Sequence, residues 1–149
     1  MSRKFSNWVR WTERNDLPNI EYPGIYAIAR SSKNIAGQPF HLRKEIIYFG
    51  MSNAKRGLKS RMKQFDNTIR GHTGHGGARR VIYKYDYDDL LPKLFVSVSH
   101  TRCDVTSKLA EDLRLMGDVA RQEYRCFADY VERFCSLPEF NDKEISPKK

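Results

Sequence analysis

The chain has 149 residues, 40% of them hydrophobic and 30% charged, a balance that suits one soluble globular domain and argues against disorder. No apolar run approaches the ~20 residues of a membrane span. The opening Met1-Ser2-Arg3-Lys4-Phe5 leads into no secretory h-region, so a cytoplasmic protein without a membrane partner is expected. The net charge of +9 is unevenly spread: residues 1–80 hold 16 Lys/Arg and 5 Asp/Glu, and the remainder hold 11 and 13. A basic half beside a near-neutral half fits a polyanion such as nucleic acid, and a solvated surface accounts for the charge equally well.

Residues 1–21 read as a helical extension, with a short helix over 6–14 that packs Trp8 and Trp11. Gly24–Arg30 and Glu45–Gly50 read as strands rich in β-branched and aromatic residues. The connection between them, 31–44, exceeds a hairpin loop and is expected to be a functional excursion. A basic helix follows over 54–70, with Leu58, Met62, Phe65 and Ile69 on its apolar face and Lys55, Lys59 and Lys63 in a row on another. The glycine-rich stretch 71–77 lacks the Gly-Lys-Ser/Thr ending of a phosphate-binding loop and reads as a flexible turn. A short helix near 78–85 and a strand over 94–98 come next, the latter with Leu94, Val96 and Val98 on one face.

The last third is a long helix, about 107–135, with Gly117 as a potential kink and 143–149 as a disordered tail. Its apolar stripe runs through Leu109, Leu113, Met116, Ala120, Phe127 and Val131 or Phe134, and Glu123 falls on it. A carboxylate facing a core is costly unless something compensates it, which singles out Glu123 among the acids. The three cysteines, Cys103, Cys126 and Cys135, form no C-x-x-C pair and suit reduced thiols. His100-x-x-Cys103 has no second ligand pair to complete a zinc site.

Gly24-Ile25-Tyr26 on one strand and Tyr48-Phe49-Gly50 on the next are followed by a helix bearing Arg61. With an acid on a late helix and the Asn141 of Pro138-Glu139-Phe140-Asn141, this order resembles the GIY-YIG endonucleases over residues 22–142. Phe49 departs from the family's central isoleucine, and Arg61 falls a few residues later than is typical. The resemblance implies an α+β fold with a small, mainly antiparallel three-stranded sheet, flanking helices and a long C-terminal helix. It also implies a Mg²⁺-dependent endonuclease (Mn²⁺ as a substitute) that hydrolyses DNA to a 5′-phosphate and a 3′-hydroxyl. Duplex DNA is the expected partner, and a homodimer is left open.

Phosphodiester hydrolysis needs a positioned water, a proton acceptor and neutralised phosphate charge. Strand tyrosines could orient the water, with Tyr26 as acceptor if a cation lowers its pKa. A guanidinium matches phosphate oxygens, and a single Glu with waters suits Mg²⁺. The expected catalytic set is Tyr26, Tyr48, Arg61, Glu123 and His75; Lys55, Lys59, Lys63 and Asn141 bind substrate, and Glu123 holds the metal. His72 remains open beside His75 as the loop imidazole acting as general acid or base. Asp129, 12 residues before Asn141, sits nearer the family's usual separation than Glu123 at 18, and Glu132 is also close. Periodicity favours Glu123, because Asp129 and Glu132 lie about 120° and 180° away around the helix. Each tyrosine could equally be a plain strand residue, and Arg61 a solvated one. A catalytically silent nucleic-acid-binding module is the alternative function, and a core-facing acid argues for the enzyme.

Overall fold

The structure, a computed structural model, describes residues 4–144. Strands β1 (Val9–Arg10), β2 (Gly24–Arg30), β3 (Ile46–Ser52) and β4 (Leu94–His100) form one antiparallel sheet in the order β1-β4-β2-β3. Four helices surround it: α1 (Gly57–Ile69), α2 (Gly76–Lys84), the single turn α3 (Tyr87–Leu90) and the long α4 (Ala110–Phe134). The architecture is α+β as expected, with one more strand than the sequence suggests.

The extra strand replaces the expected N-terminal helix. Residues 6–14 run extended into β1 and then into a 3-10 turn, Trp11–Asp16. Tertiary pairing overrides the local pattern here, because β4 would otherwise present an open edge. The Ser6 amide donates to the Val98 carbonyl at 2.8 Å. Trp8 exchanges two backbone bonds with the 31–44 connection, donating to Gln38 and accepting from Gly37. Both tryptophans are fully buried, on opposite faces of the sheet. The connection itself is largely a cover: Ile35 is buried, and Phe40 stacks on Phe5 at 4.1 Å and on Trp8 at 5.5 Å.

Alternation along the strands divides the core in two. Tyr26, Ile28, Val96 and Val98 face Leu58, Met62 and Phe65 of α1 and Ala78 and Val81 of α2. Ile25, Ala27, Phe49 and Phe95 face Val119 and Tyr130 of α4. Asp66 ties the 3-10 turn to α1, accepting from Trp11 Nε1 at 2.8 Å and pairing with Arg14 and Arg70 at 3.2 and 2.9 Å. That buried carboxylate is compensated on all sides, so it fixes the helix that carries Arg61.

α4 is unbroken through Gly117, but its inward face differs from the expected stripe in the first turns and again at Ala120, which is exposed while Val119 is buried. Leu109 and Leu113 are 69% and 52% exposed. The reason is the length of the sheet. β3 ends at Ser52, and Asn53 Nδ2 donates to the Met116 carbonyl at 3.0 Å, which marks where α4 runs past its support. Further along, Val119 and Tyr130 are buried, Cys126, Phe127 and Phe134 are partly so, and Val131 turns outward. None of the three cysteines forms a disulfide. Of the tail expected at 143–149, residues 145–149 lie outside the described residues. Among the described residues no helix is long and apolar enough to cross a membrane.

Candidate active site

Antiparallel register places the two motif tyrosines on one face. Tyr26 pairs with Gly50 and Tyr48 with Ile28, so the phenols are diagonal neighbours with ring centroids 6.1 Å apart. Gly50 is required by this arrangement: a Cβ there would sit 2.3 Å from the Tyr26 ring. Gly77 of α2 does the same for Tyr48, whose ring a Cβ would meet at 2.5 Å. Two glycines far apart in sequence thus make room for the two phenols. Burial raises the Tyr26 pKa well above the ordinary phenol value, Tyr48 and Glu123 add to this, and the Arg61 charge opposes it. Tyr48 is raised for the same leading reason, with Arg61 and Arg80 opposing.

The glycine-rich turn delivers one imidazole and leaves the other outside. His75 is buried at the N-cap of α2, whereas His72 is exposed. His75 Nδ1 accepts from the Ala78 amide at 3.2 Å, and Nε2 lies 2.7 Å from the Tyr26 hydroxyl. An Nδ1 that accepts a backbone N–H carries no proton, so the neutral ring has its hydrogen on Nε2 and donates to Tyr26. Burial lowers the His75 pKa to about 3, helped by Arg61 and Arg80. The ring is therefore neutral near pH 7 with both nitrogens engaged. In this arrangement the ring is a donor to the Tyr26 oxygen.

Arg61 is half-buried on the flank of α1, with Nη1 donating to Gln64 at 2.6 Å. Its charge acts on Tyr26, Tyr48, His75 and Glu123. It also lines an open cleft of about 310 Å³ with Met51, Ser52, Asn53, Ala54, Ser60 and Gln64. Lys59 and Lys63 are exposed on the same helix, and Lys55 is exposed in the turn before it rather than on it.

Glu123 is half-buried between Val119 and Phe127, residues that pack on the sheet face opposite the phenols. Two contacts fix its level. Met116 meets Asn53, and Tyr130 Oη donates to the Lys44 and Ile46 carbonyls. Between those anchors the helix advances roughly 21 Å and the strand roughly 23 Å, so Glu123 comes level with Gly50 on the edge strand. From there its charge raises both phenols. Burial pushes its own pKa up to about 7, against the pull of Arg61. Asp129 and Glu132 are exposed beside Leu42 and Arg133 in a different groove.

Asn141, the expected substrate contact, has both polar atoms of its side chain bonded to the Phe49 backbone. Its Oδ1 accepts from the Phe49 amide at 2.8 Å and its Nδ2 donates to the Phe49 carbonyl at 2.9 Å. The side chain thereby pairs the open edge of β3 next to Tyr48. Sequence reading missed Arg80, which is buried and charged among these groups. The available signal was its place one turn after Gly77, within a helix that follows the turn bearing His75.

Among the described residues no three His, Cys, Asp or Glu side chains form a cage for a metal. A lone half-buried carboxylate does fit Mg²⁺, which keeps several waters and takes one or two protein carboxylates besides substrate oxygens. Comparison with protein-family models, curated proteins and solved structures finds no match for this chain.

Proposed function

We propose that the protein is a divalent-metal-dependent nuclease of the GIY-YIG type that hydrolyses DNA phosphodiester bonds. One observation carries the reading: Tyr26 and Tyr48 stand as diagonal neighbours on one sheet face with ring centroids 6.1 Å apart, and the charges of Arg61 and Glu123, from two different helices, act on both. Simple phosphate binding has no use for a half-buried acid beside one buried and one partly buried phenol. The open cleft beside Arg61 and the exposed Lys55, Lys59 and Lys63 support a polyanionic substrate.

In this mechanism Arg61 neutralises charge that builds on the phosphoryl oxygens. A water oxygen bonds to phosphorus as the bond to the 3′ oxygen breaks, leaving a 5′-phosphate and a 3′-hydroxyl. The water gives its proton to the Tyr26 oxygen once that phenol has lost its own proton to solvent, an ionisation that burial opposes and the Arg61 charge favours, with His75 Nε2–H as a donor to the same oxygen. The 3′ oxygen receives a proton from solvent. Tyr48 orients the water beside Tyr26. Glu123 would hold Mg²⁺, with Mn²⁺ as substitute, and the bound cation supplies Lewis acidity and further counter-charge.

Supercoiled plasmid incubated with the purified protein tests the reading. Nicking or linearisation that needs Mg²⁺ or Mn²⁺ and stops with EDTA is expected. Binding without cleavage of any DNA or RNA would favour a silent nucleic-acid-binding module instead.

A further inference from the structure

Among the described residues Arg80 is the one buried guanidinium, and the proposed mechanism leaves it unused. It is 6% exposed, and its Nε and Nη2 both donate to a single backbone carbonyl, that of Phe140, at 3.0 and 2.7 Å. Among the described residues no carboxylate pairs with it. Buried charges are normally paired, because an unpaired one in low dielectric is costly. Asp66, the other buried ion, has arginine partners at 2.9 and 3.2 Å. Arg80 stands out as the exception.

Its position explains what the charge meets. Arg80 lies one helical turn after Gly77, on whose bare backbone the Tyr48 ring rests. At the start of the same helix His75 caps the chain and holds Tyr26. The groups that face His75 are Tyr26 from β2, Tyr48 from β3, Phe65 and Arg61 from α1, and Arg80 from its own helix. Those that face Tyr48 are the rings of Tyr26, His75 and Phe65, and the charges of Arg61, Glu123 and Arg80 act on it. Arg61 opens onto a cleft and can meet substrate; Arg80 is buried against the Phe140 carbonyl.

We propose that Arg80 is a positioning residue for the hydrolytic site, a permanent buried counter-charge that fixes the proton inventory of the Tyr26–Tyr48–His75 cluster. Burial keeps the His75 ring neutral, with the Arg61 and Arg80 charges adding to it, so that Nδ1 goes on accepting from the Ala78 amide and the ring adds no competing positive charge. The Arg80 cation also acts on Tyr48 against the burial that raises it, and so favours negative charge on the partner phenol of Tyr26. The Phe140 carbonyl holds the guanidinium in place without cancelling its charge, which a carboxylate would do. The proposal rests on the hydrolytic reading for its catalytic consequence, and not for its effect on His75.

The test uses Arg80→Gln, which keeps an N–H donor for the Phe140 carbonyl, and Arg80→Met as a second neutral variant if the first does not fold. Ring-nitrogen NMR follows His75 through acid in the full-length protein. Removing a neighbouring positive charge should raise the His75 titration midpoint by roughly one pH unit, and Arg80→Lys should keep it near the wild-type value of about 3. In cleavage assays the neutral variants should lose about tenfold in rate near neutral pH and shift the alkaline-side midpoint upward by a similar amount. Lys84→Met, which breaks the ion pair to Glu139 on the same C-terminal turn, should move neither midpoint. An unmoved His75 midpoint in a folded neutral variant overturns the proposal, as does an equal movement in Lys84→Met. A protein without nuclease activity in which His75 still responds would sink the hydrolytic reading and leave the electrostatic assignment standing.

Discussion

His75→Asn probes the coupling between the site and the stability of the fold. Asparagine is a good N-cap and can still accept from the Ala78 amide, but it is too short to reach Tyr26. At about pH 7.5 the variant should be less stable by roughly 1–3 kcal/mol, for the lost hydrogen bond and the cavity left behind. Acid should reverse the comparison. The folded imidazole protonates only at about 3, against an ordinary value of 6.5, so as pH falls the unfolded chain takes up its proton first. The stability that His75 contributes through this gap is complete above about 6.5 and drains away toward 3. At about 1.4 kcal/mol per pH unit the ceiling is close to 5 kcal/mol, and local opening should reduce it to about 2–4 kcal/mol. Urea unfolding of both proteins at steps from about pH 7.5 to 4 measures the difference directly. Carboxylates such as Asp66 are common to both and cancel. The two stability curves should converge and cross in mild acid; parallel curves would refute the account of a neutral, Nε2-protonated His75.

Arg61→Ala should slow cleavage by about 10²–10³ while weakening DNA binding little, because one positioned cation serves the transition state and many lysines share the binding; single-turnover rates beside binding isotherms check this. Gly77→Ala drives a Cβ to 2.5 Å from the Tyr48 ring, and should cost about 1–3 kcal/mol in thermal unfolding and lower the cleavage rate together with it. Replacing Lys55, Lys59 and Lys63 together should flatten the log–log salt dependence of DNA affinity by roughly two to three; an unchanged slope would make the row a solvated face.

The central strands were legible because their pattern is strong and local. Gly24–Arg30 was read to the residue, and period-two alternation put Leu94, Val96 and Val98 on one face. β1 was not legible, since two residues carry no period and their conformation is set by the exposed edge of β4. The outward turn of Leu109 and Leu113 escaped for a similar reason: periodicity gives a face, but not where the supporting sheet stops. In the candidate site, Tyr26, Tyr48, Arg61 and Glu123 could be named from motif order and stripe position. The choice between His72 and His75 could not, because it depends on which residue of a flexible-looking turn caps α2. Asn141 and Arg80 serve backbone groups of distant segments, and no sequence pattern records such a partnership.

The most direct test compares three carboxylate variants of the same helix under saturating Mg²⁺. Glu123 is the half-buried acid level with Gly50, while Asp129 and Glu132 are exposed on another side. Single-turnover cleavage of plasmid DNA should be abolished in Glu123→Gln, with folding and DNA binding intact, and should remain near wild type in Asp129→Asn and Glu132→Gln. Full activity in Glu123→Gln, or its loss in Asp129→Asn alone, would contradict the placement of the catalytic acid and with it the proposed active site.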